Sequence, residues 1–271
     1  MLTLFQIDAF SDELFKGNPA AVVPLESWLS DELMQQIAAE NNLAETAFFV
    51  PISQGQYQIR WFTPACEVPL CGHATLASAF VLFNEMGVNG EQVVFHSKSG
   101  VLTVTKLGEQ LQLNFPQIPA AMVADELIPA DIELGLGVPV ANVLEATNQD
   151  DPVYLVVLDS VQQLRALTPD MNILARLHPH SVLVTALGEE GSDYDCESRF
   201  FLPSYGIDED PVTGMAHCIL APYWSRQLEK ASINAYQASK RGGAMHCKLL
   251  AAGRVLLSGQ GKKYLSGHIH L

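Results

Sequence analysis

A chain of 271 residues that is 48% hydrophobic and 17% charged can fill two cores of about 130 residues each, which excludes a disordered protein. The net charge of -15, with only 15 Lys plus Arg spread along the chain, argues against nucleic acid or an anionic membrane as partner and leaves a small substrate in a local pocket. Met1 to Phe10 lacks the basic start and long apolar run of a signal peptide, no later stretch is apolar enough to span a bilayer, and the five cysteines are an odd number, so the reading is a cytoplasmic protein with free thiols.

Short alternating segments dominate the first half. Phe5 to Phe10, Ala47 to Val50, Tyr57 to Phe62, Val93 to Phe95, Val101 to Val104 and Leu111 to Phe115 read as strands between turn signals. Asp31 to Glu40 reads as a helix capped by Ser30, with Leu33, Met34, Ile37 and Ala38 on one face. Ala74 to Met86 is apolar nearly all round until its last turn, the pattern of a helix buried on every side, and it ends before Gly87. Prolines at 116, 119 and 129 mark a domain boundary between Phe115 and about Pro129. Beyond it, Val153 to Leu158 and Val182 to Thr185 read as buried strands, and Val161 to Leu167 and Met171 to Leu177 as short helices. Ala216 to Leu228 reads as a second central helix, with Pro222 expected near its first turns or at a kink.

The chain also repeats itself. Glu67-Val68-Pro69-Leu70-Cys71-Gly72-His73-Ala74 and Glu209-Asp210-Pro211-Val212-Thr213-Gly214-Met215-Ala216 share Glu, Pro, Gly and Ala at an offset of 142 residues. The register runs ungapped to Ser97-Lys98-Ser99-Gly100 and Ser239-Lys240-Arg241-Gly242, and upstream Arg60-Trp61-Phe62-Thr63-Pro64 answers Arg199-Phe200-Phe201-Leu202-Pro203 with an insertion. This period is the length of a domain and too long for a solenoid unit. The expected fold class is therefore α+β, with two similar domains, each a curved sheet or barrel wrapped on a central helix.

Each repeat centre places a glycine, Gly72 or Gly214, at a helix start whose first N–H groups lack intrahelical partners. Such ends attract anions, and two of them facing each other would cradle a carboxylate-bearing ligand in an interdomain cleft. His73 lies just inside the first start, where the helix N-terminus is expected to leave the ring neutral. Glu45 sits at the mouth of an apolar strand, either as a solvated edge residue or as a desolvated proton-transfer group. Asp210, before Pro211, is its natural companion, or else an N-terminal dipole partner. Cys66, Cys71 and His73 match no zinc spacing, and the glycine-rich turns fit neither a dinucleotide loop nor a phosphate loop, so neither metal nor organic cofactor is expected.

These motifs together resemble the phenazine-biosynthesis-like family, which shares the diaminopimelate epimerase fold. The matching pieces are Asp8-Ala9-Phe10, Phe15-Lys16-Gly17-Asn18-Pro19-Ala20-Ala21-Val22, Asn42-Leu43-Ala44-Glu45-Thr46-Ala47-Phe48, Arg60-Trp61-Phe62-Thr63-Pro64 with Glu67, Cys71-Gly72-His73-Ala74-Thr75, and Glu209-Asp210-Pro211-Val212-Thr213-Gly214. The resemblance implies two pseudo-symmetric domains, each a mostly antiparallel barrel around a helix: residues 1–116, which the last C-terminal strand could join, and 117–271. It also implies a homodimer and a cofactor-independent isomerase that moves a proton on a small carboxylated substrate. Glu45 would then be the acid/base, with His73 and Asp210 positioning the substrate and Asn18, Gly72, Thr213 and Gly214 facing it. Met215 stands where the family usually has Ser, so one hydroxyl able to hold substrate is absent.

Two other readings compete. A two-base racemase or epimerase on the same fold wants a thiol at both centres, and the chain offers Cys71 but Thr213, which is too weak an acid to replace one. A metabolite-binding protein without turnover is compatible with Met215 but makes less of Glu45 and His73.

Overall fold

In a computed structural model, residues 1–148 and 151–271 are described, and the chain groups into two compact units: Met1–Phe115 with Leu256–Leu271, and Pro116–Val255. Both are sheets built on a buried helix. No helix among the described residues is long and apolar enough to cross a membrane.

The first unit begins with β1 (Leu2–Ala9), β2 (Asn18–Pro24), α1 (Asp31–Asn41), β3 (Glu45–Ser53), β4 (Gln56–Phe62) and β5 (Glu67–Val68). It continues with α2 (Gly72–Phe80), a π-helical turn (Val81–Glu85), β6 (Gln92–Ser97), β7 (Gly100–Leu107) and β8 (Gln110–Pro116). Ser30 caps α1 by accepting the Leu33 N–H at 3.3 Å, and Met34, Ile37 and Ala38 are buried against Val23, Phe48 and Phe62. α2 is buried from His73 to Ala79, as its unbroken run of small and apolar residues requires, and it packs on β1, β2 and β3. The single helix expected from Ala74 to Met86 is thus split: regular α-helix stops at Phe80 and the next turn widens into the π form.

The second unit contains β9 (Ala121–Met122), α3 (Ala130–Leu136), β10 (Asn142–Asn148), β11 (Asp151–Val157), α4 (Val161–Ala166) and α5 (Met171–Leu174). There follow β12 (Ser181–Leu187), β13 (Cys196–Leu202), β14 (Ile207–Asp210), α6 (Gly214–Leu228), β15 (Ser232–Gln237) and β16 (Gly243–Leu250). One of its core clusters gathers Ile132, Leu136, Val156, Leu164, Val184 and Phe201. Pro222 lies well inside the 15-residue α6 rather than in its first turns. β17 (Arg254–Gly259) leads back into the first unit, where β18 (Gly261–Ile269) pairs antiparallel with β1.

The repeat in the sequence is a repeat in structure. β2 pairs parallel with β3, β3 antiparallel with β4, and β4 parallel with β6; β11, β12, β13 and β15 are joined in the same series of senses. Trp61 pairs with Val68 as Phe200 pairs with Asp210, and α2 and α6 begin at Gly72 and Gly214. Under each helix start an arginine grips a glutamate with two parallel bonds: Arg60 to Glu67 at 2.8 and 2.7 Å, Arg199 to Glu209 at 2.7 and 2.9 Å. Such forks fix the geometry of the turn they brace, because both donors and both acceptors must align. The sheets mix parallel and antiparallel neighbours, and they are not closed barrels. β18 is largely exposed and carries Lys262 and Lys263, as an edge strand does.

Gly17 enters β2 with a φ of +66°, and a Cβ there would meet the Ala9 carbonyl oxygen at 2.2 Å. Gly87 has the same φ with nothing within 4 Å. Gly87→Ala should therefore cost only the roughly 1–2 kcal/mol of a left-handed alanine, and Gly17→Ala clearly more, as read from urea unfolding midpoints. Equal losses would show that the β1–β2 connection gives way freely.

Candidate active site

Glu45 opens β3, where it pairs with Ala20 of the parallel neighbour β2. Asn18, two residues before Ala20, shares its sheet face and is fully buried. His73 occupies the first turn of α2. The two meet: His73 Nε2 lies 3.0 Å from Glu45 Oε2, with side-chain exposures of 7% and 16%. This approach lacks hydrogen-bond alignment, and neither atom has another hydrogen-bond partner. On the other side of the ring, Nδ1 is 3.5 Å from Cys71 Sγ. The result is a chain of thiol, imidazole and carboxylate in a nearly dry setting.

Burial works against charge on His73, but Cys71 and Glu45 outweigh it and hold the ring well above the ordinary histidine value. This direction runs against the neutral ring expected from the helix N-terminus, because the contacts with Cys71 and Glu45 act on the ring directly. Burial, with the Glu45 carboxylate adding to it, pushes the Cys71 thiol up. Ligand-type atoms of Glu45, Cys71 and His73 lie within 4.8 Å of one another, so a metal has to be considered. Thiol and carboxylate, however, face different ring nitrogens, whose lone pairs diverge. A single ion held by one nitrogen is turned away from one of the other two donors, and the arrangement suits passing a proton better than chelation.

Asp210, Thr213 and Gly214 belong to the second unit. There the Thr213 hydroxyl donates to Asp210 Oδ2 in a short bond. Gln237, fully buried on β15, accepts the Thr213 N–H at 2.9 Å and donates to the Asp210 carbonyl at 2.7 Å. Asp210 is thus part of a braced turn, and neither Cys71 nor Thr213 gives its helix a side-chain cap. Ser30, Ser160 and Asp170, by contrast, cap α1, α4 and α5. The N–H groups at the two glycine starts are left for another acceptor.

Two residues of the second centre escaped sequence reasoning. Gln237 falls opposite Phe95 in the repeat register, so nothing local marked it. His217 falls opposite Thr75, and both reach back to the N-cap carbonyl: Thr75 Oγ1 to Cys71 at 2.5 Å, His217 Nδ1 to Thr213 at 2.7 Å. The available signal was a polar residue in the same place of both helix starts, Thr75 and His217. His217 is fully buried and its Nε2 has no hydrogen-bond partner.

The structure is a mixed α/β fold with a doubled strand-helix-strand unit that carries a buried carboxylate against a histidine. The family model described as phenazine biosynthesis-like protein matches residues 7–267. An uncharacterized isomerase of Pseudomonas aeruginosa is 47% identical over 271 residues, covering 100% of this chain and 99% of the relative. The crystal structure of a phenazine biosynthesis protein of this family from Enterococcus faecalis superposes with a TM-score of 0.92 at 42% identity, covering 100% of this chain and 99% of that one. A probable proline racemase from Agrobacterium radiobacter shares the fold at a TM-score of 0.63 and 11% identity, covering 100% of this chain and 93% of that one. The chain belongs to the phenazine biosynthesis-like protein family.

Burial pushes His217 down to about 4. A histidine depressed in the folded state contributes stability that is full above its unfolded value near 6.5 and is lost as pH falls towards 4, by roughly 3 kcal/mol in all. His217→Thr, which keeps the back-bond of Thr75, should flatten unfolding free energy over that window in urea titrations. An unchanged slope would mean that other groups govern it.

Proposed function

We propose that the protein is a cofactor-independent isomerase that moves a proton on a small carboxylated substrate, with Glu45 as the acid/base. The observation that carries this reading is the buried approach of Glu45 to His73 at 3.0 Å, with an oxygen and a nitrogen left unpartnered. A carboxylate in that setting can take a proton from a carbon acid and return it elsewhere, while a cationic His73 steadies negative charge on the substrate during transfer. Asn18 and the free N–H groups at Gly72 supply donors for a carboxylate or the enolate derived from it. In the second unit, Asp210 and Thr213 brace the start of α6, so that Gly214 offers an anion site of its own.

The relatives named as isomerases and the epimerase-like fold support the reaction class. The two-base alternative is disfavoured because the counterpart of Cys71 is Thr213, whose hydroxyl is already given to Asp210. The family resemblance adds that the enzyme works as a homodimer in the cytoplasm.

The experiment is Glu45→Gln, assayed on a ligand found by screening small cyclic or unsaturated amino and hydroxy acids. Gln keeps the shape of Glu but cannot accept and return a proton, so kcat should fall at least about 100-fold while Kd changes little. Full turnover by the variant would remove Glu45 from the chemistry.

A further inference from the structure

The π-helical turn Val81–Glu85 that follows α2 has no part in the mechanism proposed above, and it is pinned from two sides. Lys106 of β7 donates from Nζ to Asn84 Oδ1 at 2.9 Å and lies 5.6 Å over the Phe83 ring, while Lys263 of β18 reaches Glu85 Oε2 at 2.6 Å. Gly261 opens β18 so close to α2 that a Cβ on it would meet Phe80 Cδ2 at 2.8 Å. Turns of the π form are rare and recur at functional sites. Here the turn borders a cavity of about 120 Å³ that lies within the first unit.

Phe80 and Leu111 give this cavity an apolar wall, and ionic side chains of both signs line it as well: Lys106 and Lys262, Asp12 and Glu109. No ion pair joins any of these four to another among the described residues, and the side chains of Asp12, Glu109 and Lys262 make no hydrogen bond there either. Opposite charges that face one small space without touching leave room between them for a molecule that carries both. A plain anion would meet two carboxylates, and a plain cation two ammonium groups. A zwitterion answers all four. Lys106 is already held by Asn84 and Phe83 and keeps further N–H donors, so it loses little freedom on binding.

We propose that this cavity is a second small-molecule site, which takes a short zwitterionic amino acid with its carboxylate toward Lys106 and Lys262 and its ammonium toward Asp12 and Glu109. The volume admits a few water-sized groups and excludes a nucleotide or a bulky side chain. The wall of Phe80 and Leu111 suits a small apolar side chain. His73 and Phe80 stand at opposite ends of α2, about 10 Å apart along its axis, so the site is separate from Glu45 and does not rest on the isomerase reading.

The test titrates glycine, L-alanine and L-serine into isotope-labelled protein and follows the backbone amides by NMR, with propionate and ethylamine as probes that carry one charge each. At least one amino acid should give saturable shifts at Asn84, Lys106 and Gly261, and neither single-charge probe should reproduce them at the same concentration. Lys106→Met should weaken that binding at least about tenfold, the loss expected for one hydrogen bond between charged groups, while Glu45→Gln should leave it unchanged. No saturable shift with any of the amino acids, equal shifts with propionate or ethylamine, or a parallel loss in Glu45→Gln would overturn the proposal. Shifts gathered at Gly72 and His73 instead would place the amino acid at the Glu45 site and overturn it too. Should Lys106→Met fail to fold by circular dichroism, Asp12→Asn and Lys262→Gln, both at exposed positions, decide: weaker binding in either supports the site, and unchanged affinity in both overturns it.

Discussion

The Glu45–His73 contact of the first unit depends on packing that sinks a polar helix start beside a strand start where water is scarce. Burying either alone would cost several kcal/mol, and together they offset one another without being fully satisfied. Glu45 reaches this position because β3 starts there, beside β2, and His73 because α2 starts at Gly72. Both starts are set by packing: α2 can approach β1, β2 and β3 closely because its buried face is Ala74, Ala77, Ser78 and Ala79. The chemistry is thus a consequence of small side chains in a central helix, which let a polar first turn sink into the sheet.

The second unit repeats the scaffold and changes the contents. Its arginine fork, its strand senses and its helix start match those of the first, but Thr213 replaces Cys71, Met215 replaces His73 and His217 replaces Thr75. Thiol and imidazole give way to a hydroxyl bound to Asp210 and a histidine whose burial works against charge. One doubled backbone therefore presents a thiol, an imidazole and a carboxylate at one helix start and a braced turn at the other.

Much of this was legible in the chain because the deciding signals are local. Ser30 before an acidic turn announced α1, and the Gly72 and Gly214 starts were visible in the repeat itself. Other features depend on contacts that no local pattern encodes. β2, with prolines at both ends, reads poorly as a strand yet is central, since its neighbours β1 and β3 supply the pairing. The π turn after Phe80 and the interior position of Pro222 are tolerated because the surrounding core holds those helices in place. The helix dipole alone pointed to a neutral His73, while its contacts with Cys71 and with Glu45, which arrives from a strand far away in sequence, raise the ring instead. Gln237 was invisible for the same reason: its role lies in bonds to a turn 24 to 27 residues earlier.

The central claim is that a protein-bound carboxylate exchanges a proton with carbon, and hydrogen exchange into a bound ligand reports on that directly. A carboxylated ligand identified by thermal-shift screening would be incubated with the protein in D2O and followed by proton NMR. The account predicts that a carbon-bound hydrogen beside an electron-withdrawing group is replaced by deuterium in the presence of the wild-type protein and not with Glu45→Gln. Tight binding with every carbon-bound hydrogen retained would contradict it, and would make the molecule a metabolite-binding protein on an isomerase scaffold.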